Sequence, residues 1–381
     1  MNREQTQFSR KTLYDQLQHV PDLIRNRLEE LDALVREEVS ADQVLGWERI
    51  FTAGCGDSYY AGLAAEHALE QWTGLPVKPL SSMQFSRYAV SNVSSRSVLF
   101  AISNSGRVTR TIEAAVLAKS AGLQTIALTS HLQSPLVQEA DQVLGTELSL
   151  RGLSPGICGY VLALLVLYLA GLHAGEVRGY LSREKGRQLR KEMEETADFW
   201  EEALDRLDEP IRRIAEELKG EETFIFVGSG PSYATALFSA AKTVEACGVP
   251  AQGQDVEEWA HIQFFYRRPG IPTFLLAPPG NSLSRAQELT EVMKGVRAYT
   301  IGILGERKAE FPSGLDHSLI LPGHLSEALS PLLYCLPGGL FAYYLSEAKE
   351  EVFFRMDRQI DRVGLILRSR ILTTLPEIER S

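Results

Sequence analysis

The stretch ISNSGRVTRTIEAA, residues 102–115, joins a small polar loop, Asn104-Ser105-Gly106, to a segment whose apolar residues Ile112, Ala115, Val116 and Ala118 recur at helical spacing. A strand, SVLFAIS (97–103), leads into it. Such a junction is an anion site in outline, because the first turn of a helix leaves backbone N–H groups unpaired and carries the positive end of the helix dipole. Arg107 and Arg110 run against that dipole. Three residues apart, they share a helical face and are read either as direct ligands of the anion or as solvated side chains.

Two Gly-x-Gly turns, Gly54-Cys55-Gly56 and Gly228-Ser229-Gly230, also follow strands and open helices, where backbone N–H groups can approach an anionic or polyhydroxy ligand. Neither completes G-x-G-x-x-G. Tyr59 and Tyr233 stand at the third glycine position and no acidic residue ends the second strand, which argues against a dinucleotide. Lys242 and Glu245, three apart in a helical segment, put an ammonium and a carboxylate on one face. Spacing alone leaves a catalytic pair and a surface ion pair equally open. The four cysteines, Cys55, Cys158, Cys247 and Cys335, form no C-x-x-C pair and have no histidine at ligand spacing. Reduced thiols are expected, with no metal site and no cofactor.

The elements that must position these residues occur twice. GCGDSYYAGL (54–63) matches GSGPSYATAL (228–237), and in the same register Gly74-Leu75-Pro76 meets Gly248-Val249-Pro250 and Gly106 meets Gly280. Each copy reads strand, Gly-rich turn, helix, strand, strand, polar loop, helix, strand. The first has strands at 49–54, 76–80, 97–103 and 124–130, with helices from about Ser58 to Trp72 and Val108 to Ala121. The second has strands at 223–228, 250–255, 271–278 and 298–304, with helices from about Tyr233 to Cys247 and Ser284 to Gly295. Apolar strands alternating with amphipathic helices imply two three-layer α/β/α domains with parallel sheets, related by duplication. The expected division is a helical segment (1–45), a first domain (46–181), a linker helix (182–220), a second domain (221–348) and a C-terminal tail (349–381) able to reach a site. Phe199, Trp200, Leu204 and Leu207 give the linker helix an apolar stripe.

The chain has 381 residues, 44% hydrophobic and 23% charged, with a net charge of −10. That charge argues against a nucleic-acid or anionic-membrane partner and in favour of a small molecule. The polar N-terminus, MNREQTQFSRKTLYDQ, is not a secretory signal, so a cytoplasmic location is expected. Residues 152–175 lack Asp, Glu, Lys and Arg, but their strictly apolar part (157–172) is shorter than the ~20 residues of a membrane span and is read as a buried core helix.

GCGDSYYAG, SNSGRVTRT, the duplicated α/β pattern and AAKTVEACGVPAQGQDVEEWAHIQFF together resemble the tandem sugar isomerase (SIS) family, over about residues 46–370. The pattern is that of the isomerase domain of glucosamine-6-phosphate synthase and of phosphosugar isomerases and deglycases. The resemblance implies a sugar anion held by the first Gly turn (Gly56, Ser58) and by Ser103, Asn104 and Ser105. The threonine of the family loop is replaced by Val108, and Arg110 stands where an acidic residue is common. The resemblance also implies Lys242 and Glu245 as a catalytic pair, Glu245 being the base that carries a proton between C1 and C2 of an open-chain sugar. It further implies His261 as the ring-opening acid/base, entering from a second subunit of a homodimer, with packing beside Trp259, Phe264 and Phe265 as the other reading. Glu258 is a further acid candidate. Arg368 occupies the tail position where the synthases use a lysine; an arginine stays protonated and can bind an anion but cannot form an imine.

The expected activity is aldose–ketose isomerisation of a hexose with an anionic C6 group, a 6-phosphate or a 6-sulfonate such as sulfoquinovose. Release of an amine from a fructosamine or glucosamine 6-phosphate is the enzymatic alternative, and a non-catalytic sugar-phosphate sensor the alternative of another class. The chain begins Met1-Asn2-Arg3 without a cysteine nucleophile, so glutamine-driven amidotransfer is not expected.

Overall fold

The computed structural model describes residues 11–148, 154–306, 314–355 and 369–374. In chain order the elements begin with α1 (Lys11–Glu38), α2 (Ala41–Gly46), β1 (Arg49–Gly54), α3 (Asp57–Thr73), β2 (Val77–Ser81) and α4 (Ser82–Gln84). There follow β3 (Ser97–Ile102), α5 (Thr109–Ser120), β4 (Gln124–Thr129), α6 (Pro135–Glu139), β5 (Gln142–Gly145), α7 (Cys158–Val177) and α8 (Arg183–Glu217). The duplicate comprises β6 (Phe224–Val227), α9 (Pro231–Cys247), β7 (Ala251–Gln254), α10 (Val256–His261), β8 (Pro272–Ala277), α11 (Leu283–Gly295), β9 (Tyr299–Gly305), β10 (His317–Leu321) and α12 (Pro331–Ala348).

Two compact units contain these elements. One holds the first sheet, with described residues 26–148, 159–191 and 369–374; the other holds the second sheet, with 11–25, 154–158, 192–306 and 314–355. Both sheets are parallel and share one topology, β2-β1-β3-β4-β5 in the first and β7-β6-β8-β9-β10 in the second. In this order the chain leaves β1 toward β2 on one side and returns to β3 on the other. The crevice beyond the carboxyl ends of β1 and β3 is therefore the topological switch point, where open α/β sheets bind ligands.

Inner strands β3 (SVLFAI) and β8 (PTFLLA) are buried at every residue, as a strand covered on both faces must be. Edge strand β2 (VKPLS) carries Pro79, which an edge tolerates because one side of its ladder is unpaired. The sequence pattern finds four strands per sheet. The fifth in each, β5 and β10, is an outer strand only partly buried, so its apolar alternation is faint.

The duplication holds in the backbone itself. Gly56 and Gly230, which open α3 and α9, have φ/ψ of 57/−129° and 55/−130°, a region that only glycine occupies readily. A Cβ on Gly54 or Gly228 would stand 2.6 or 2.5 Å from the backbone of Ser58 or Ser232, so strand and helix can meet this tightly only through glycine.

Helix α7 is long and apolar enough by composition to cross a membrane, but 94% of its apolar window is buried inside the protein. Helix α8 runs through Pro210 to Glu217 rather than ending at the proline. Met193, Ala197, Trp200, Leu207, Ile211 and Ile214 are buried along one side, and the stripe continuing beyond Pro210 outweighs the lost backbone hydrogen bond. Phe199 and Leu204 flank this stripe, half-buried.

Candidate functional site

The switch point of the first sheet gathers both motifs of its copy. The Gly54–Ser58 turn ends β1 and starts α3, leaving Ser58 half-exposed. The 103–107 loop ends β3. Ser103 is 2% exposed, and its backbone N–H donates to the Leu128 carbonyl at 3.0 Å, but its Oγ is buried with no hydrogen-bond partner. A buried hydroxyl without a partner costs free energy unless a ligand completes it.

Around Ser103 the loop is fixed by its neighbours. The Asn104 carbonyl accepts from Ser130 N–H (3.1 Å) and Thr129 Oγ1 (3.2 Å), and lies 3.0 Å from His131 Nδ1. The Ser130 hydroxyl donates to Asn104 Oδ1 at 2.7 Å, which leaves the donors of the Asn104 amide N–H₂ outside that bond. Gly106 has φ of +60°, and a Cβ there would stand 1.9 Å from Ser134 Oγ. Ser134 is buried too, its Oγ also lacking a partner, and it went unmarked in the sequence because it lies in the separate 131–134 turn. The Ser105 hydroxyl accepts from Arg107 N–H at 3.3 Å. Helix α5 starts after Val108, with no side-chain cap. A threonine there could close the first turn on itself; valine cannot, so those N–H groups are not capped by Val108.

The two arginines separate. Arg107 is exposed beside the loop. Arg110 is committed to the fold: Nη1 pairs with Glu113 Oε2 at 2.5 Å, and Nη2 donates to Ser369 Oγ (3.1 Å) and to the Arg370 carbonyl. The solvated reading of Arg110 is thereby replaced by a buried network, which also explains how a cation is tolerated in the first turn of α5. The Glu113 carboxylate is fully buried and receives Arg87 Nε at 2.7 Å, Arg87 Nη2 at 2.9 Å, Ser86 Oγ at 3.0 Å and Leu372 N–H at 2.7 Å. Burial would raise its pKa; the hydrogen bonds from Arg87, Leu372 and Ser86 and the charge of Arg110 overcome that and hold it below the usual carboxylate range. Arg368 lies outside the described residues.

The duplicate loop differs. Asn281 N–H donates to Glu327 Oε2 at 2.8 Å, and the Glu327 carboxyl carbon lies 2.2 Å from where a Cβ of Gly280 would be. The protein's own carboxylate thus sits against this loop. The hydroxyl of the equivalent turn serine, Ser232, is buried without a partner.

In the second unit, α9 carries the acid–base candidates. Lys242 is fully buried, its Nζ 2.6 Å from Glu245 Oε2 and 5.0 Å from the centre of the Phe238 ring. Glu245 keeps 27% of its side chain exposed. This is no surface ion pair: a desolvated ammonium is neutralised by a carboxylate whose other edge reaches solvent. His261 ends α10 with 66% of its side chain exposed and Nδ1 2.9 Å from the Glu257 carbonyl. When Nδ1 carries the proton it donates to that carbonyl, and Nε2 presents a lone pair outward. The packed reading of His261 fails, since Trp259 is buried without it while Phe264 and Phe265 are themselves exposed. Glu258 is exposed and its N–H is capped by Asp255 Oδ1 at 3.4 Å.

Two clefts of about 430 and 230 Å³ are lined by Lys294, Arg297 and Asp316, and by Arg49, Lys78 and Tyr88. The first lies at the amino ends of β8, β9 and β10, and the second runs between β1, β2 and the 84–93 segment; neither is lined by the 103–107 loop or the Gly turns. Among the described residues no group of three or more His, Cys, Asp or Glu is placed to hold a metal ion.

Residues 44–170 match the SIS domain family. The chain contains a SIS domain. It is 26% identical over 342 residues to a glutamine–fructose-6-phosphate aminotransferase (isomerizing) of Gloeobacter violaceus, covering 89% of this chain and 55% of that one. The chain thus spans about half the length of the curated relatives it matches. Its fold is similar to the C-terminal domain of glucosamine-fructose-6-phosphate aminotransferase from Francisella tularensis, with a TM-score of 0.80, 21% identity, and 90% and 96% of the two chains covered. It is also similar to glucosamine-6-phosphate deaminase from Thermotoga maritima, with a TM-score of 0.69, 18% identity, and 91% and 97% covered. Both α/β/α units share the fold of these SIS-type neighbours, and the 103–107 loop lies within the segment matched to the family.

Proposed function

We propose that this SIS protein is an aldose–ketose isomerase of a hexose carrying an anionic C6 group. The observation that carries the reading is the partnerless buried hydroxyl of Ser103 at the switch point, beside an uncapped helix start. Ser58, Asn104, Ser105 and Arg107 complete the anion cradle. The anion is a phosphate or a sulfonate, and the Val108 loop, one hydroxyl poorer than the family pattern, suits either.

In the proposed reaction Glu245 takes the proton from C2 of the open-chain aldose. The C2–H electrons form the C1–C2 double bond of an enediol as the C1 oxygen is protonated. Loss of the O2 proton and return of the first proton to C1 then give the ketose. His261 moves the proton that opens the ring, and Lys242 positions the Glu245 carboxylate. Glu258 stands one helical turn before the capped end of α10 as a secondary acid. We place the enzyme in the cytoplasm as a homodimer in which His261 serves the partner's site. Support comes from the exposed apolar run Ile262, Phe264, Phe265 and Tyr266 that follows this exposed histidine.

A thermal-shift panel tests the reading: fructose 6-phosphate, glucosamine 6-phosphate, a fructosamine 6-phosphate, 6-sulfoquinovose and the neutral hexoses. A ligand that binds only the native state raises its stability with occupancy. The reading requires the C6 anions to raise the melting temperature and neutral sugars to leave it unchanged, and the best ligand to exchange a carbon-bound proton in deuterated water. Ammonia release from glucosamine 6-phosphate would instead favour the amine-releasing reaction, to which the structural similarity to a deaminase also points. Ser103→Ala removes one hydrogen bond to a charged group, worth about 1.5–3 kcal/mol. The expected effect is a KM for the anionic sugar raised roughly 10- to 100-fold with kcat nearly kept.

A further inference from the structure

The Glu113 network has no part in the proton transfer above, yet it occupies the start of the helix whose N-terminus forms the anion cradle. Its two cations come from different places. Arg110 belongs to the first turn of α5, and Arg87 is presented by a five-residue π-helical turn, Phe85–Ala89, an uncommon conformation often tied to function. A further hydrogen bond, Ser82 Oγ to Thr111 Oγ1 at 2.9 Å and fully buried, binds this π-turn region to α5. Onto the network comes a segment more than 250 positions away in sequence. Leu372 N–H reaches Glu113 Oε2, Ser369 Oγ and the Arg370 carbonyl take the free edge of Arg110, and Ile371 and Leu372 pack on the core cluster that includes Phe85, Ala114 and Leu117.

Two arginines already neutralise Glu113. The Leu372 N–H and the Arg370 carbonyl are backbone groups, so two of the three polar contacts read the position of the segment, while Ser369 Oγ and the Ile371 and Leu372 side chains add to its seating. We propose that Arg87, Glu113 and Arg110 form a latch that seats residues 369–372 and couples that seating to anion binding in the 103–107 loop. These are positioning residues. Seating the segment holds the first turn of α5 rigid, and an anion bound at the same turn then has less disorder to remove. Coupling between two binding events is reciprocal, so a bound anion must in turn secure the segment. The inference rests on the anion cradle proposed above, and the test separates the two.

Hydrogen exchange is followed by mass spectrometry in peptides covering 369–374 and 103–110, for the wild type, Glu113→Gln, Leu372→Pro and the double variant. Leu372→Pro removes the donor N–H together with the packing of the Leu372 side chain, and Leu372→Ala, which keeps the N–H, reads the loss of packing alone. Dissociation constants for fructose 6-phosphate are measured by calorimetry on the same proteins. Glu113→Gln and Leu372→Pro are each expected to speed exchange in both peptides and to weaken fructose 6-phosphate about five- to tenfold, the double variant doing no more than either. Leu164→Ala, a cavity in the buried helix α7, lowers stability without moving either readout. Unchanged exchange at 369–374 in Glu113→Gln overturns the latch. Freed residues 369–374 with unchanged exchange at 103–110 and unchanged affinity overturn the coupling. If fructose 6-phosphate fails to bind the wild type, the cradle reading falls for that sugar, and exchange at the two peptides alone decides the latch.

Discussion

Glu245→Gln is expected to lower kcat by about 10²- to 10⁴-fold, the usual contribution of a positioned general base, while the anionic sugar still binds. Glutamine keeps the shape and the hydrogen-bonding carbonyl but cannot accept a proton at working pH. Lys242 complicates the variant, because its ammonium has no exposure and 2.6 Å separates it from the carboxylate being removed. Once Glu245 is neutral, burial favours the uncharged amine, so some loss of stability accompanies the loss of rate. The double variant Lys242→Met/Glu245→Gln separates the two effects. Removing both partners of a buried pair restores much of the stability that removing one costs. If the double variant melts near the wild-type temperature and still turns over at the rate of Glu245→Gln, the missing rate belongs to the base. A single variant that keeps the wild-type kcat would show that another group moves the proton.

The largest effect on stability is expected at Glu113. Removing one partner of a buried ion pair typically costs about 3–5 kcal/mol, because the opposite charge is left uncompensated. Arg87 and Arg110 keep 29% and 18% of their side chains exposed, so both can turn part of their charge to water, which places Glu113→Ala near about 3 kcal/mol. Denaturant unfolding monitored for the first-sheet unit is the measurement, and a loss below about 1 kcal/mol would mean that the network is no more than a surface pair. The pH dependence has a definite sign. The folded pKa of Glu113 is lowered, so its contribution is complete above the unfolded carboxylate range and disappears as the pH falls through the folded value. Wild type and Glu113→Ala should therefore converge in stability toward acid.

The sequence made the α/β duplication legible through its glycines. GCGDSYYAGL against GSGPSYATAL sets two identical backbone kinks, and the near-equal dihedral angles at Gly56 and Gly230 are the same fact in three dimensions. Strand order was not legible, because apolar periodicity reports which residues are buried and is silent about which strand lies beside which. The anion loop could be located from its strand, polar loop and helix. The bond from Ser130 to Asn104 and the crowding of Gly106 by Ser134 come from the neighbouring strand β4 and the turn after it, and no local pattern carries them. Arg110 is the instructive residue. Its spacing from Arg107 suggests a shared duty, but its partners are a glutamate one turn along in an apolar run and two residues near the C-terminus. A lone Glu in such a run looks like a solvent-facing helix residue, and only the packing of remote segments makes it the best-buried carboxylate of the loop region.

The two halves arose from one mould, and two equal cradles would draw the same ligand to two places. Glu327 resolves that competition without changing the fold. By lodging its carboxylate against the Asn281 N–H and Gly280, the second half carries an internal guest at the place where, on the reading proposed above, the first half takes an external one. On the proposed reading the twin loops divide their labour, one kept for recruitment and the other turned into masonry, and the expected stoichiometry is one anion per chain rather than two.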